Sequence, residues 1–163
     1  MQTQSNPHIV NHYRSRLSQQ PRQPSFEFIP MRALLLEGSP QSREVYEHMF
    51  KDLGFEDIEV AENFSDAFRS IEVKHDPYDL IVLDQSYWGD DELSLKLCRL
   101  IRANEDYEHT AIVMLSNQCD SDAIEAAFRS GVDEFIPKYI HPLELKRLAW
   151  NAVFERRYAT RSL

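Results

Sequence analysis

Five short apolar runs, separated by longer stretches with helical spacing, constrain this chain more than any other feature. The runs are "ALLLE" from Ala33, "IEVA" from Ile58, "DLIVLD" from Asp79, "AIVMLS" from Ala111 and "DEFIPK" from Asp133. Most are continuous rather than alternating, the pattern of strands covered on both faces. The intervening segments, such as "SREVYEHMFKDLG" and "SDAIEAAFRSG", place apolar residues three and four apart, as one face of a helix requires. Strands alternating with helices predict an α/β fold with a parallel sheet between two helical layers. Ser65 and either Asp120 or Ser121 are the expected N-caps, and Gly54 and Gly131 fall where helices end. The last helix is expected from about Pro142 to Tyr158, with Leu145, Leu148, Ala149 and Ala152 facing inward. There is no repeat, low-complexity tract or heptad pattern.

A length of 163 residues suits one domain with a proper core. Residues 1–30 read differently from the rest: they are rich in Gln and Ser and punctuated by Pro7, Pro21, Pro24 and Pro30, which predicts a loosely docked or flexible arm. Within it, "HIVNHYRSRL" has the spacing of a short helix that would need a surface to pack on. Residues 31–163 form the expected domain. The net charge of −9 is unevenly spread: Arg14, Arg16 and Arg22 against Glu27 give the arm +2, leaving −11 on the body. A body so acidic argues against nucleic acid as partner. The basic cluster Lys146, Arg147, Arg156, Arg157 and Arg161 suits the negative end of a helix dipole. No apolar run is long enough to span a membrane and no leader pattern opens the chain, which predicts a cytoplasmic protein without membrane contact. Cys98 and Cys119 are expected as free thiols, Cys98 as core filler and Cys119 in an exposed loop.

In an open parallel sheet all strands deliver their last residues to one edge, where ligands bind. Four of the five runs end on Glu37, Asp84, Ser116 and Lys138, so that edge gathers two carboxylates, a hydroxyl and an ammonium. Two carboxylates and a backbone carbonyl from the following loop make an oxygen site suited to Mg²⁺. A central carboxylate beside a hard cation and a lysine is arranged to accept a phosphoryl group, since both cations offset charge on the transferring oxygens. Each residue also has a plainer role: Asp84 as a cap for the next loop, Ser116 as a turn cap, Glu37 as a solvated strand-end charge, Lys138 as a surface lysine.

From Met31 to about Arg157 the sequence resembles the receiver domain of bacterial response regulators. The resemblance is carried by "LLLEGSPQSR", "DLIVLD", "VMLSNQ" and "SGVDEFIPKYIHPLEL", four motifs in the family's order with helices between them. It implies a flavodoxin-like, doubly wound five-stranded sheet of order 2-1-3-4-5. It also implies Asp84 as phosphoacceptor, Ser116 as switch hydroxyl, Phe135 as switch aromatic and Lys138 as the site lysine. Mg²⁺ would be held by Glu37, Asp84 and the carbonyl of Ser86. The implied partners are a histidine kinase or phosphotransfer protein upstream and a protein target downstream, with a homodimer among the forms such a domain adopts.

The chain departs from the family pattern around this set. The usual pair of acids after the first strand is here Glu37-Gly38, which removes a metal ligand and predicts a weakened Mg²⁺ site, unless Asp90 or Asp91 in the longer loop after Asp84 compensates. Asn117 replaces a small residue after the switch hydroxyl. The family's Lys-Pro step becomes Lys138-Tyr139 with Pro137 ahead of it, which puts the reach of Lys138 toward Asp84 in question. Tyr87 and Trp88 follow Asp84 as aromatics that either line a partner site or pack over a helix end.

Other residues carry less chemistry. His8 and His12 share ligand spacing but lack a third ligand, and His141 reads as a turn residue before Pro142. Trp150, Phe154 and Tyr158 lie four apart on one stripe; core packing accounts for Trp150, whereas Tyr158 suggests a dimer seam or a dock for the arm. The functional expectation is a stand-alone receiver that takes a phosphoryl group on Asp84 and signals through the face of the fourth helix, fifth strand and fifth helix. The alternative is a pseudo-receiver, the same fold serving as a constitutive interaction or dimerisation module. A phosphatase with an aspartyl nucleophile fits less well, because Ser86 stands where its second acid would be. "EGSPQSR" lacks a glycine-rich phosphate loop, which disfavours nucleotide binding.

Overall fold

The structure is a computed structural model that describes residues 30–73, 76–85, 91–138 and 140–158. The expectations for the arm, Ser86, Tyr87, Trp88, Asp90, the side chain of Asp91 and Tyr139 fall outside the described residues. Strands β1 (Met31–Leu36), β2 (Phe55–Ala61), β3 (Leu80–Asp84), β4 (Ala111–Ser116) and β5 (Glu134–Pro137) alternate with helices α1 (Pro40–Asp52), α2 (Phe64–Val73), α3 (Asp91–Ala103), α4 (Ser121–Arg129) and α5 (Pro142–Tyr158). All strand pairs are parallel and the order is β2-β1-β3-β4-β5, the flavodoxin-like sheet that the resemblance implies.

The period-two pattern of the strands divides the core into two layers. Leu34, Leu36, Ile81, Leu83, Ile112 and Met114 face α2, α3 and α4, meeting Ala67, Ile71, Leu97, Cys98 and Ala127. Ala33, Leu35, Leu80, Val82, Val113 and Leu115 face α1 and α5, meeting Met49, Phe50, Leu145, Ala149 and Val153. β3 and β4 are buried along their whole length, which is why their sequences are unbroken apolar runs. Cys98 lies in the core and Cys119 is exposed. Among the described residues no helix is long and apolar enough to cross a membrane.

Helix ends follow short-range chemistry, with one correction. Asp120 caps α4, its side chain accepting from the Ala123 amide at 3.0 Å. α2 begins one residue before Ser65, because Asn63 takes the capping role: its Oδ1 accepts from the Asp66 amide at 2.9 Å and its carbonyl from the Ala67 amide at 3.1 Å. Gly54 and Gly131 both have positive φ, 94° and 99°. Gly131 is doubly constrained, since a Cβ there would run into the Arg102 side chain.

That contact belongs to an ion network at the sheet's amino edge. Arg102 donates to the carbonyls of Gly131 and Thr110, both at 2.8 Å, and to Asp133 at 2.6 Å. Asp133 also accepts from Arg156 at 2.6 Å. Asp79 joins the start of β1 to the end of α5, accepting from the Arg32 amide at 2.7 Å and from Arg157 at 2.6 Å. Arg156 and Arg157 are therefore engaged by these two carboxylates. A second correction concerns Trp150, which is 42% exposed on the outer side of α5 rather than packed in the core. Leu145, Ala149, Ala152 and Val153 take the inward positions, and Trp150 lies on the other side of the same helix.

Candidate functional site

The sheet order sets the site. β1, β3, β4 and β5 are consecutive neighbours, so their carboxyl-edge residues Glu37, Asp84, Ser116 and Lys138 come out in a row, with Asp84 on the central strand. Register carries the alignment across: Leu36 pairs with Leu83, Asp84 with Leu115, and Ser116 with Pro137.

Asp84 and Glu37 are both 0% exposed. Lys138 Nζ lies 2.6 Å from Asp84 Oδ2, so the ammonium reaches the central carboxylate despite the altered Lys138-Tyr139 step. The backbone aims it there: the Lys138 amide donates to the Ser116 carbonyl at 2.8 Å, extending the β4–β5 pairing one residue past the strand.

Glu37 is fixed from below. Its Oε1 accepts from the Ser39 amide at 2.8 Å, and Ser39 in turn caps α1. The Glu37 carboxyl titrates at about 7, pushed up first by burial and then by a hydrogen bond to Asp84, which exists only when one of the two acids carries the proton. Its other oxygen, Oε2, is buried with no donor among the described residues. Two closed-in carboxyls, one with an unserved oxygen, form an oxygen pair that a hard divalent cation fits, because the cation would serve Oε2 and displace the shared proton. Among the described residues no set of three His, Cys, Asp or Glu gathers around a point, so the pair has no third carboxylate.

Ser116 is buried, and its Oγ accepts from the Gln118 amide at 3.0 Å, so the hydroxyl holds the start of the β4–α4 loop. Phe135 packs inward with the α2–α4 core layer, on the strand beside Ser116. Asn117, immediately after Ser116, is exposed.

Two further residues belong to this neighbourhood. Tyr46 of α1 has its phenol held well above the usual range, by burial first and then by the charges of Asp84 and Glu37. Its sequence signal is spacing, because Tyr46, Met49 and Phe50 share the inward face of α1. Gln85, next to Asp84, is buried, and its Oε1 has no donor among the described residues. Nothing in the local sequence distinguishes it from an exposed loop residue.

Comparison with known proteins agrees with this geometry. A family model described as "Response regulator receiver domain" matches residues 33–149. The chain is 26% identical over 117 residues to chemotaxis protein CheY1 of Helicobacter pylori, covering 71% of this chain and 91% of that protein. It is 25% identical over 126 residues to chemotaxis protein CheY-3 of Vibrio cholerae, covering 77% and 93%. Among solved structures, the signal receiver domain of a putative LuxO repressor protein from Vibrio parahaemolyticus superposes with a TM-score of 0.69 at 23% identity, over 81% of this chain and 96% of that one. The receiver domain of a Pseudomonas aeruginosa sensor histidine kinase, whose structure has a magnesium ion coordinated in the active-site cleft, gives 0.61 at 24% identity, over 77% and 99%. At these identities the two structural likenesses speak for the fold.

Proposed function

The chain belongs to the response regulator receiver domain family, and on that footing we propose that it acts in two-component signalling by accepting a phosphoryl group on Asp84. The observation that carries this reading is the 2.6 Å contact of Lys138 Nζ with Asp84 Oδ2 in a pocket where the aspartate is fully buried. A carboxylate so placed has a cation positioned to neutralise the oxygens of an incoming phosphoryl group. An Asp84 oxygen attacks phosphorus, the bond from phosphorus to the donor's histidine nitrogen breaks, and that nitrogen leaves with the electron pair and takes up a proton.

Lys138 orients Asp84 before transfer and pairs with the phosphoryl oxygens after it. Glu37 and Asp84, with the carbonyl of Ser86, would hold Mg²⁺. When bound, the ion supplies positive charge to the transferring oxygens. Glu37 is suited to this because its buried Oε2 has no donor among the described residues. Lacking a neighbouring acid at Gly38, the pair holds the ion more weakly than a three-acid site would. Ser116 exchanges its bond to the Gln118 amide for one to a phosphoryl oxygen, and Phe135 on the next strand repacks as the β4–α4 loop moves. This is a population shift driven by a local charge event. Receivers of this kind work with a kinase or phosphotransfer protein upstream and a protein target downstream. In this chain the target face is that of α4, β5 and α5.

The test is incubation with Mg²⁺ and a small phosphodonor, read as a mass gain of one phosphoryl group that Asp84→Asn abolishes. A second reading, a pseudo-receiver that works without phosphorylation, is favoured by one observation: Glu37 and Asp84 are a buried pair joined by no third carboxylate among the described residues. Absence of any mass gain at millimolar Mg²⁺ supports that reading.

A further inference from the structure

The outer face of α5 carries an apolar stripe left exposed among the described residues. Leu143, Trp150 and Phe154 are 68%, 42% and 51% exposed. Together with Arg147 and Tyr158 they fall on one side of the helix, opposite Leu145, Ala149 and Ala152. The Phe154 and Tyr158 rings meet along the stripe at a tilt of 41°, with centroids 4.6 Å apart.

Charge on the two sides of the stripe is unequal. On one side Lys146 is turned to Asp52 of α1 and Arg157 to Asp79 before β3, so those cations are already engaged. On the other side Glu144 is paired with Arg147 of the stripe itself, which leaves Glu155 as the open acid. Glu134 of β5 is held above its usual range there, by burial first and then by Glu155 beside it. The open border of the stripe is acidic.

The chain itself supplies a complementary segment. Ile9, Tyr13 and Leu17 are spaced four apart, on one face of a helix, with Arg14 on one flank of that face and Arg16 on the other. The route is short, because Asp79 binds both the Arg32 amide and the Arg157 guanidinium: the arm leaves β1 at the end of the sheet where α5 finishes. From Leu17 to Pro30 are 13 residues, which span up to roughly 43 Å when extended. The stripe from Tyr158 back to Leu143 is roughly 22 Å long at the helical rise.

We propose that residues 8–17 dock as an amphipathic helix along the outer face of α5 in the same chain, with Ile9, Tyr13 and Leu17 on Leu143, Trp150 and Phe154, and the flanking Arg14 toward Glu155 and Glu134. The tether gives the arm a high effective concentration at this face. A protein target of the α4–β5–α5 face must displace it, so the arm is an intramolecular competitor for that surface. The docking does not depend on phosphorylation, and its test stands apart from that of Asp84.

The test uses the full chain carrying Trp88→Phe, which leaves Trp150 as the single tryptophan. Acrylamide quenching of Trp150 is expected to rise several-fold when Ile9→Asp, Tyr13→Asp and Leu17→Asp are introduced together, and to be independent of protein concentration in the parent. Equal quenching with and without the three substitutions overturns the proposal. Shielding that grows with concentration alongside a dimer in sedimentation velocity also overturns it, and assigns the face to a second copy. Limited trypsin digestion gives an independent reading that leaves the arm intact. Cleavage after Arg14 and Arg16 is expected to be several-fold slower than after Arg22, and the difference is expected to vanish in Trp150→Asp/Phe154→Asp. Equal cleavage at the three sites in the unsubstituted chain contradicts the docking.

Discussion

Lys138 Nζ lies 2.6 Å from Asp84 Oδ2 although no proline follows the lysine, because the Lys138 amide is tied to the Ser116 carbonyl at 2.8 Å. The β4–β5 ladder, extended by one residue, positions the side chain. Removing the lysine takes away the cation that contacts this buried pair of acids. Lys138→Met is expected to cost about 3 kcal/mol at pH 8, the low end for breaking a buried ion pair, since Lys138 is partly exposed. Urea denaturation checks this, and a loss no larger than that of an exposed lysine contradicts it.

The raised titration of Glu37, to about 7 from an ordinary 4.5, sets a pH dependence. The folded value lies above the unfolded one, so the stabilisation is fully present below about 4.5 and is lost as pH rises through about 7. In metal-free buffer the urea midpoint of the native chain is expected to fall across that window. Glu37→Gln, which cannot ionise, is expected to flatten the fall, and parallel curves for the two proteins would remove Glu37 as its source.

Mg²⁺ is expected to act against the same trend. A cation on Glu37 and Asp84 displaces the shared proton, so its affinity rises with pH through the titration of Glu37. Stabilisation by millimolar Mg²⁺, followed as a shift in melting temperature, is expected at pH 8, to shrink at pH 5.5, and to vanish in Glu37→Gln. A shift of equal size at both pH values would place the ion elsewhere.

Gly131→Ala tests the opposite edge of the sheet. The residue has φ of 99°, and a Cβ there meets the Arg102 side chain, which ties Gly131, Thr110 and Asp133 together. The substitution is expected to cost about 2 kcal/mol through backbone strain and displacement of Arg102. Arg102→Ala, in contrast, leaves Asp133 with Arg156 as its cation. A cost for Gly131→Ala no greater than that of an exposed loop substitution would show that the turn relaxes freely.

The sequence made the site's residues legible because a parallel sheet brings strand-end residues to one edge, and residue identity at a strand end can be read directly. Glu37, Asp84, Ser116 and Lys138 fall in a row for that reason. What stayed illegible depended on contacts distant in sequence. The reach of Lys138 rests on a bond to Ser116 across the β4–β5 pair, invisible from the Lys138-Tyr139 step alone. Ser65 and Asn63 are both good capping residues, and the bonds from the Asp66 and Ala67 amides select Asn63. The aromatic stripe Trp150, Phe154 and Tyr158 reads as core packing at Trp150. The inward face of α5 is already filled by Leu145, Ala149, Ala152 and Val153, and at helical spacing Trp150 must point out. The burial of Gln85 and the closeness of Tyr46 to the acids follow from the packing of α1 and β3, and no local pattern marks them.

The most direct test of the central claim is the mass of the intact native chain after incubation with a small phosphodonor and Mg²⁺ at pH 8. Gain of a single phosphoryl group that is lost in Asp84→Asn, and greatly slowed in Lys138→Met, is the expected result. No gain in the native chain, or an equal gain in Asp84→Asn, contradicts the assignment of Asp84 as the phosphoryl acceptor.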